Sequence, residues 1–187
     1  MPHLSRFIIL VSLLLPLAAV AQTVRLSTSQ GDIVVQLDAE KAPRTVENFL
    51  RYVRDGHYNG TIFHRVIDNF MIQGGGMDAT MAERPTRAPI PLEARSGLTN
   101  LRGTLAMART AVPDSATAQF FINVRDNPFL DAALARDGHG YAVFGRVIEG
   151  MDVVDRIKTV ATATRNSHSN VPVQPVLINK AQLENQK

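Results

Sequence analysis

The chain has 187 residues, of which 20 are basic and 17 acidic, and its formal net charge is +3. It contains no cysteine, which excludes a disulfide framework and thiol catalysis. The basic residues form no run typical of a nucleic-acid-binding surface, so we expect no nucleic-acid partner. The length suits one domain with its own hydrophobic core, and nothing in the composition indicates a second domain.

The first 21 residues have the layout of a secretory signal peptide. Arg6 gives a positive start, segment 7–17 is largely apolar, and Ala19-Val20-Ala21 matches an A-x-A cleavage site. The apolar segment is short for a membrane span, although an uncleaved anchor is an alternative. We therefore expect cleavage before Gln22 and a mature domain over 22–187 without stable membrane association. The expected location is the periplasm, with full secretion as the alternative.

The first elements of the mature chain are predicted to be a hairpin and a helix. Runs rich in β-forming residues at 24–27 and 32–37 flank a turn in which Gly31 supplies a permissive backbone. Positions 43 to 55 begin with a proline and repeat apolar residues at i, i+3, i+4, i+7 spacing. Gly56 then follows as a stop signal, so this segment predicts an amphipathic helix.

The remaining elements are mostly short strands. We predict two strands within 61–73, strands at 104–108, 119–124 and 141–147, a helix over 150–158 and a last strand from about Val176. The proline-rich stretch 78–100 predicts a long surface loop. About eight short strands with few helical connections favour a mainly β fold. We expect a closed eight-stranded antiparallel barrel with two helices covering its ends.

Several catalytic chemistries find no support in the sequence. The glycine-rich stretch 73–78 is followed by neither Lys-Ser/Thr nor a helix, which argues against a phosphate-binding loop. There is no G-x-S-x-G elbow of a serine hydrolase. There is also neither an H-E-x-x-H motif nor a tight cluster of histidines and carboxylates for zinc. We therefore expect neither a metal nor a cofactor.

The segment 58–76, YNGTIFHRVIDNFMIQGGG, mixes polar side chains into an apolar, strand-like pattern. Arg65 cannot act as a general base because its guanidinium stays protonated, but it can direct donors and positive charge at a carbonyl oxygen or an amide nitrogen. A three-residue loop at 68–70 would place Gln73 opposite Arg65 across the two strands. A two-residue loop would place Ile72 there instead.

The same segment resembles the signature of the cyclophilin family of peptidyl-prolyl isomerases. The matching positions are Tyr58, Thr61, Phe63-His64-Arg65-Val66-Ile67, Phe70-Met71 and Gln73-Gly74-Gly75. The stretches 102–109, 115–124, 127–131 and 141–157 resemble later cyclophilin blocks in the same order, so the likeness covers essentially all of 22–187. It is most similar to the exported bacterial branch.

The resemblance implies an activity and its partners. A peptidyl-prolyl cis-trans isomerase accelerates rotation about Xaa-Pro bonds, here in exported proteins, and so assists their folding. Its expected partners are proline-containing unfolded or extended polypeptides, and the expected state is a monomer. The alternative is a peptide-binding chaperone module that uses the same groove with little catalysis. The presence of Arg65 favours the isomerase, because a protein that only binds peptides does not need that arginine.

The resemblance also implies the roles of individual residues. Arg65 is expected to be the catalytic arginine. The expected walls of a pocket for the substrate proline ring are Phe70, Met71, Phe121 and Leu130. The expected polar partners of Arg65 and of the substrate backbone are Gln73 and Gln119. The residues expected to line the groove before the proline are Ala108 and Arg109, the latter in place of a common asparagine.

Three further positions depart from the common cyclophilin pattern. Phe129 stands where many members have tryptophan; the loss of a donor from the pocket rim predicts weaker cyclosporin binding. Tyr141 stands where many members have histidine, and its hydroxyl can supply a different polar contact. Both are expected to contact substrate. Gly76 replaces a frequent aspartate.

Structural alternatives exist for several of these residues. Arg65 could satisfy only Gln73 and a carboxylate on the barrel surface, and Met71 could fill the core. Strand alternation at 119–121 predicts that Phe120 lies in the core and Phe121 in the pocket. His64 is expected to form a structural hydrogen bond within the barrel rather than to transfer protons.

Overall fold

The structure is a computed structural model that describes residues 22–184, so the predicted signal peptide lies outside the described residues. The strands are β1 Thr23–Thr28, β2 Gly31–Leu37, β3 Thr61–Ile67, β4 Met71–Asp78, β5 Thr104–Met107, β6 Phe120–Asn123, β7 Val143–Glu149, β8 Thr162–Arg165, β9 His168–Pro172 and β10 Leu177–Glu184. The helices are α1 Pro43–Arg54 and α2 Met151–Lys158, with a short 3₁₀ turn at Pro128–Leu130. Neither α1 nor α2 is long and apolar enough to cross a membrane.

Eight of the strands close into an antiparallel barrel in the order β1-β10-β3-β4-β6-β5-β7-β2. The predicted fold, a closed eight-stranded barrel with two helices, is confirmed. Closure gives each barrel strand a neighbour on both sides. The strands β8 and β9 form a separate two-stranded sheet, a hairpin that the sequence analysis did not predict.

The main hydrophobic core lies inside the barrel and extends to both helices. The ring of Phe49 on α1 lies 5.1 Å from the ring of Phe144 and meets the ring of Phe120 edge-on at 5.5 Å. From α2, Val154 and Ile157 are fully buried in the same cluster. Each such side chain stabilises the fold by about 1.5–3 kcal/mol when removed from water. The apolar spacing that predicted the helices is therefore the spacing that packs them against the barrel.

The long connection from β4 to β5 has no helix or strand of its own, as predicted, but it is tied to the barrel. The carboxylate of Glu93 accepts hydrogen bonds from the backbone N–H groups of Arg44 and Thr45, at 3.2 and 2.8 Å. It thereby caps α1, whose N-cap residue Ala42 has no side-chain acceptor. Arg87 N donates to Tyr52 Oη at 2.8 Å. The loop is thus held in place on α1.

The pairing of β3 with β4 has the predicted register, with Gln73 opposite Arg65. The loop is the three-residue one, because Ile67 pairs with Met71. However, β4 does not end at Gln73 as predicted and continues through the three glycines to Asp78. A Cβ on Gly74 would lie 2.9 Å from the Ile62 carbonyl oxygen, so the glycines allow an approach that other residues prevent.

The predicted strand at 141–147 begins two residues late, since β7 starts at Val143. Tyr141 therefore lies in the preceding loop, where no strand pairing holds it in place. Its backbone N–H donates to the Leu130 carbonyl oxygen at 3.0 Å, outside any sheet. This placement matters for the site, which includes the Tyr141 side chain.

Candidate active site

A cavity of about 560 Å³ lies on the outer face of the barrel, lined by residues of β3, β4, β6 and β9 and of several connecting segments. Its lining includes ten of the eleven residues predicted for the site: Arg65, Phe70, Met71, Gln73, Ala108, Arg109, Gln119, Phe121, Leu130 and Tyr141. The eleventh, Phe129, does not line it. The sequence therefore predicted which residues would come together, although their roles remain predictions.

The apolar wall of the cavity is a second hydrophobic cluster, separate from the main core. Three of its buried members line the cavity, Met71, Phe121 and Leu130, which are 1%, 4% and 7% exposed; the other two are Ala106 and Val143. Phe120, the neighbour of Phe121, is fully buried in the main core. Successive residues of β6 thus face opposite sides of the sheet, as predicted from alternation. The result is a rigid apolar wall beside an open cavity.

The polar side of the cavity is a chain of three side chains from neighbouring elements. Arg65 Nη1 donates to Gln73 Oε1 at 3.3 Å, and Gln73 Nε2 donates to Gln119 Oε1 at 2.9 Å. The Arg65 side chain reaches this face because β3 carries one extra residue, His64, between its pairs with Gly74 and Gln73. Such a bulge re-aims the side chain that follows it.

The guanidinium of Arg65 has donors left for a ligand. Arginine has five N–H donors, and the hydrogen bond to Gln73 is the one side-chain hydrogen bond found for Arg65 among residues 22–184. None of the ion pairs found in that part of the chain includes Arg65. The alternative in which a carboxylate neutralises Arg65 therefore finds no support.

Gly76 provides the space in which Gln119 lies. A Cβ at position 76 would overlap Cγ, Cδ and Nε2 of Gln119. The departure from the common aspartate thus lets Gln119 lie against the backbone of β4. From there it accepts the hydrogen bond of Gln73.

The guanidinium of Arg109 is turned inward and held by the chain itself. Only 2% of the Arg109 side chain is exposed. Its Nε donates to the Gly140 carbonyl oxygen at 2.8 Å, and its Nη2 forms an ion pair with Asp137. Its Cζ lies 4.6 Å from the centre of the Tyr141 ring. Arg109 thus lines the cavity as expected, but most of its donors are engaged.

Comparison with known proteins agrees with this geometry. Residues 23–183 match the cyclophilin type peptidyl-prolyl cis-trans isomerase/CLD family. The isomerase cyp18 of Streptomyces antibioticus is 60% identical over 162 residues, which cover 86% of this chain and 98% of that protein. An isomerase of Acinetobacter baylyi is 57% identical over 178 residues, or 95% of this chain and 94% of that protein. A crystal structure of a Cryptosporidium parvum cyclophilin type isomerase has a TM-score of 0.73 at 26% identity, covering 90% of this chain and all of that one. The chain belongs to the cyclophilins.

This cyclophilin is a peptidyl-prolyl cis-trans isomerase, and the family binds proline-containing peptides. Amide resonance sets a barrier of about 18–20 kcal/mol to rotation of a peptide bond, and rotation about Xaa-Pro is correspondingly slow. Rotation itself breaks no covalent bond, so the reaction needs a surface that favours the twisted amide. The apolar wall and the polar chain of the cavity are suited to that task.

Phe129 forms part of an exposed aromatic ledge next to the cavity of this cyclophilin. It is 54% exposed and stacks on Phe70, with ring centres 5.6 Å apart. Phe70 in turn lies beneath Arg65, whose Cζ is 6.0 Å from the ring centre. Phe129 thus supports the cavity mouth through Phe70.

The cavity also includes residues that the sequence analysis did not assign to it. They are His64, Met77, Glu83, Ser167, His168, Ser169 and Asn170. The last four belong to the unpredicted β8–β9 hairpin, whose two turn residues, Asn166 and Ser167, have φ of 49° and 65°. A two-residue turn with positive φ at both positions favours Asn-Gly. The Asn-Ser pair present here favours such a turn less strongly than Asn-Gly, and the local sequence offers no other indication of the hairpin.

His64 is buried beside the cavity. The residue is 5% exposed, and its Nδ1 has no hydrogen-bond partner among the described residues. A hydrogen bond with the Ile62 backbone partly offsets the effect of burial on its pKa and agrees with the predicted structural role. Burial, together with the nearby positive charges of His168 and Arg65, lowers the pKa of His64 to about 4. The ring is therefore neutral at pH 7.

No group of three or more metal-ligating side chains was found within residues 22–184.

Proposed function

We propose that this isomerase acts in the periplasm on proline-containing segments of exported polypeptides, as a monomer, after cleavage before Gln22. Two observations support the proposal. Residues 1–21 have the layout of a signal peptide. In addition, β1 and the family match both begin at residue 23, so removal of the leader leaves intact every strand described within residues 22–184. By shortening a slow folding step, the enzyme would assist folding of these proteins.

Within the cavity, we assign to Arg65 the role of the charged donor that weakens the amide. The free donors of Arg65 are the observation that supports this assignment. A donor near the prolyl nitrogen favours its pyramidal, less conjugated form, and that form dominates the twisted transition state. Every ~1.4 kcal/mol of preferential stabilisation gives about tenfold in rate. One such donor in a water-poor site contributes about 100- to 1,000-fold.

We assign to Met71, Phe121 and Leu130 the role of holding the proline ring. The low exposure of these three side chains beside an open cavity supports the assignment. Gln73 and Gln119 orient Arg65 and offer polar groups to the substrate backbone. Phe70, Ala108 and Tyr141 complete the walls, and Phe129 contributes at the mouth. A fixed ring and a directed charge together let one side of the amide rotate against the other.

The cis-to-trans rate of an Ala-Pro reporter peptide tests the role of Arg65. We expect Arg65→Ala to lower kcat/KM by about 100- to 1,000-fold, while peptide affinity measured by titration stays close to that of the wild type. Arg146→Ala is the matched control, because Arg146 is exposed on β7 and its guanidinium also donates to a glutamine, Gln36, at 3.2 Å. Equal activity of the Arg65→Ala and Arg146→Ala variants would refute the assignment.

Mass spectrometry of the protein from separated cell fractions tests its export. We expect a periplasmic chain that begins at Gln22. In Ala21→Phe, a large residue at the cleavage site should leave the leader attached. Recovery of the processed chain in the medium would support secretion instead. A full-length wild-type chain in the cytosolic fraction would contradict export.

A further inference from the structure

The side chain of Arg109 is the centre of a set of contacts that join two distant parts of the chain. It follows β5 by two residues, and its Nη1 donates to its own neighbour, the Thr110 carbonyl oxygen, at 3.0 Å. Its other donors cross to the loop before β7, through the ion pair with Asp137 and the hydrogen bond to Gly140. A planar guanidinium can serve several directed acceptors at once, whereas an ammonium cannot hold the same geometry.

The loop at 137–141, which we call the Tyr141 loop, is shaped around this guanidinium. Asp137 Oδ1 accepts hydrogen bonds from the backbone N–H groups of His139 and Gly140, at 3.0 and 3.2 Å. Gly140 has φ of 68°, and a Cβ there would lie 2.5 Å from the Ala132 nitrogen. The loop is therefore held by individual hydrogen bonds and not by a ladder of strand pairing. Arg109 is the partner of Asp137 and of Gly140 in this set.

The Tyr141 loop ends at the apolar wall of the cavity. Tyr141 N donates to the Leu130 carbonyl oxygen at 3.0 Å, and the Tyr141 ring meets the Phe121 ring edge-on, with centres 5.7 Å apart and an angle of 78°. The Arg109 guanidinium covers the same Tyr141 ring. A shift of the loop would consequently be transmitted to both Leu130 and Phe121.

We propose that Arg109 is a positioning residue of the isomerase: its guanidinium fixes the Tyr141 loop and thereby sets the wall formed by Tyr141, Phe121 and Leu130. The inference rests on the proposed function, in which that wall holds the proline ring. It differs from the role that the cyclophilin resemblance implies, a direct contact with residues before the proline. Because Asp137 neutralises the guanidinium within the chain, Arg109 does not select substrates by charge.

This role makes a distinct kinetic prediction. The wall contacts the proline ring, which keeps its place while the amide rotates. Its contacts are thus the same in the bound substrate and in the transition state. Loss of such uniform binding raises KM and leaves kcat nearly unchanged. Loss of the Arg65 donor instead lowers kcat, so the two arginines should separate in their kinetics.

Arg109→Asn and Asp137→Asn test the proposal with reporter peptides that carry Glu, Ala or Lys before the proline. We expect each variant to raise KM by about tenfold, the equivalent of about 1.4 kcal/mol of lost binding to the proline ring. In the double variant Arg109→Asn/Asp137→Asn, which leaves neither charge of the pair unopposed, the increase should be the same for all three peptides. The double variant should be no worse than either single one, since both remove the same clamp. Arg109→Lys should not restore the wild-type KM.

Arg102→Asn is the matched control. The Arg102 guanidinium also joins an aspartate, Asp155, and a backbone carbonyl, that of Val124, but it does not line this cavity. The KM of the Arg102→Asn variant should stay at the wild-type value. A loss in the double variant confined to the Glu-Pro peptide would overturn the proposal in favour of direct charge contact. An unchanged KM would overturn it as well.

Fluorine NMR with 3-fluorotyrosine supplies a readout that overall destabilisation would not reproduce. The chain has three tyrosines, and Tyr52 and Tyr58 are buried in the main core, so their signals report whether a variant is folded. We expect only the Tyr141 signal to move in Arg109→Asn and Asp137→Asn. An unmoved Tyr141 signal would overturn the positioning role. A failed Arg65→Ala test would affect only the proposed mechanism, since this signal does not depend on activity.

Discussion

Two arginines line the same cavity and use their guanidinium groups in opposite ways. Arg65 makes one hydrogen bond of 3.3 Å to a neutral amide, which leaves donors for a ligand. Arg109 is engaged by backbone carbonyls and by Asp137. The hydrogen bonds from Arg109 and from two backbone N–H groups hold the pKa of Asp137 well below its usual range, so this pair persists at acidic pH. The available positive charge of the site is therefore that of Arg65.

Gly76→Ala tests whether the chain Arg65-Gln73-Gln119 supports activity. The added Cβ would occupy the place of the Gln119 side chain, which must then release Gln73. We expect kcat/KM to fall about tenfold, the equivalent of roughly 1.4 kcal/mol. Gln119→Ala should give a similar loss, and the double variant should lose little more, because both changes break the same link. Additive losses in the reporter assay would contradict the link.

The pairing of Arg65 with Gln73 could be predicted from the sequence, and the clamp around Arg109 could not. Strand alternation and a loop of three residues are local rules, and they suffice to place two side chains opposite each other. Arg109 and Asp137 are 28 positions apart and belong to no common ladder, so no local rule relates them. Their contact depends on how the Tyr141 loop packs.

At the scale of elements, the site depends on irregularities in two strands. In a regular strand, Arg65 would face the same side as Phe63, which is fully buried in the core. The extra residue His64 reverses that orientation. On β4, glycines allow the strand to continue past Gln73, with φ of 84° at Gly75. The sequence indicated strands here, but a bulge has no comparable local signal.

Glu93 provides an element-scale test, because it caps α1 from a distant loop. Glu93→Ala removes both acceptors of the first turn. It should lower the free energy of unfolding by about 1–2 kcal/mol, the usual cost of losing an N-cap. Urea unfolding at pH 7 measures the loss. Glu47→Ala is the control, since its exposed i,i+4 pair with Arg51 is worth about 0.5 kcal/mol or less. Equal losses in the two variants would contradict the capping role.

The β8–β9 hairpin shows why an element that shapes the site escaped prediction. All four residues of β8 are exposed, so they lack the alternation of apolar and polar residues that marks a half-buried strand. Only Val171 and Pro172 at the end of β9 are buried. The hairpin exists because Val171 packs on Ile62 and Met77 outside the barrel, a tertiary contact that the local sequence does not encode.

At the scale of the whole molecule, the apolar cluster that fills the barrel is separate from the one that lines the cavity. The main core fills the barrel and joins both helices, whereas the wall of the cavity is a smaller cluster on the outer face. The closed barrel could be predicted because short strands with non-helical connections have few other solutions. The strand order that brings β4 and β6 together beneath the cavity depends on long-range pairing.

His64 makes the stability of the whole molecule depend on pH in a definite window. Its native pKa of about 4 lies below the ordinary value of 6.5, mainly because burial disfavours the charged ring. Between pH 6.5 and 4 the unfolded chain therefore binds a proton that the native protein does not. The free energy of unfolding consequently falls as the pH is lowered through this window, and the contribution levels off below pH 4.

His64→Gln isolates this contribution, because glutamine keeps a polar side chain but does not titrate. We expect the wild type to lose about 2 kcal/mol more than the variant between pH 7 and pH 5, from the separation of the two pKa values. Carboxylates with lowered pKa, such as Asp78 and Asp137, contribute equally to both proteins and cancel in the difference. Urea unfolding of both proteins at the two pH values measures this difference in the free energy of unfolding. Parallel losses in the two proteins would mean that the native ring accepts a proton as readily as in the unfolded chain, which its burial beside Arg65 and His168 opposes.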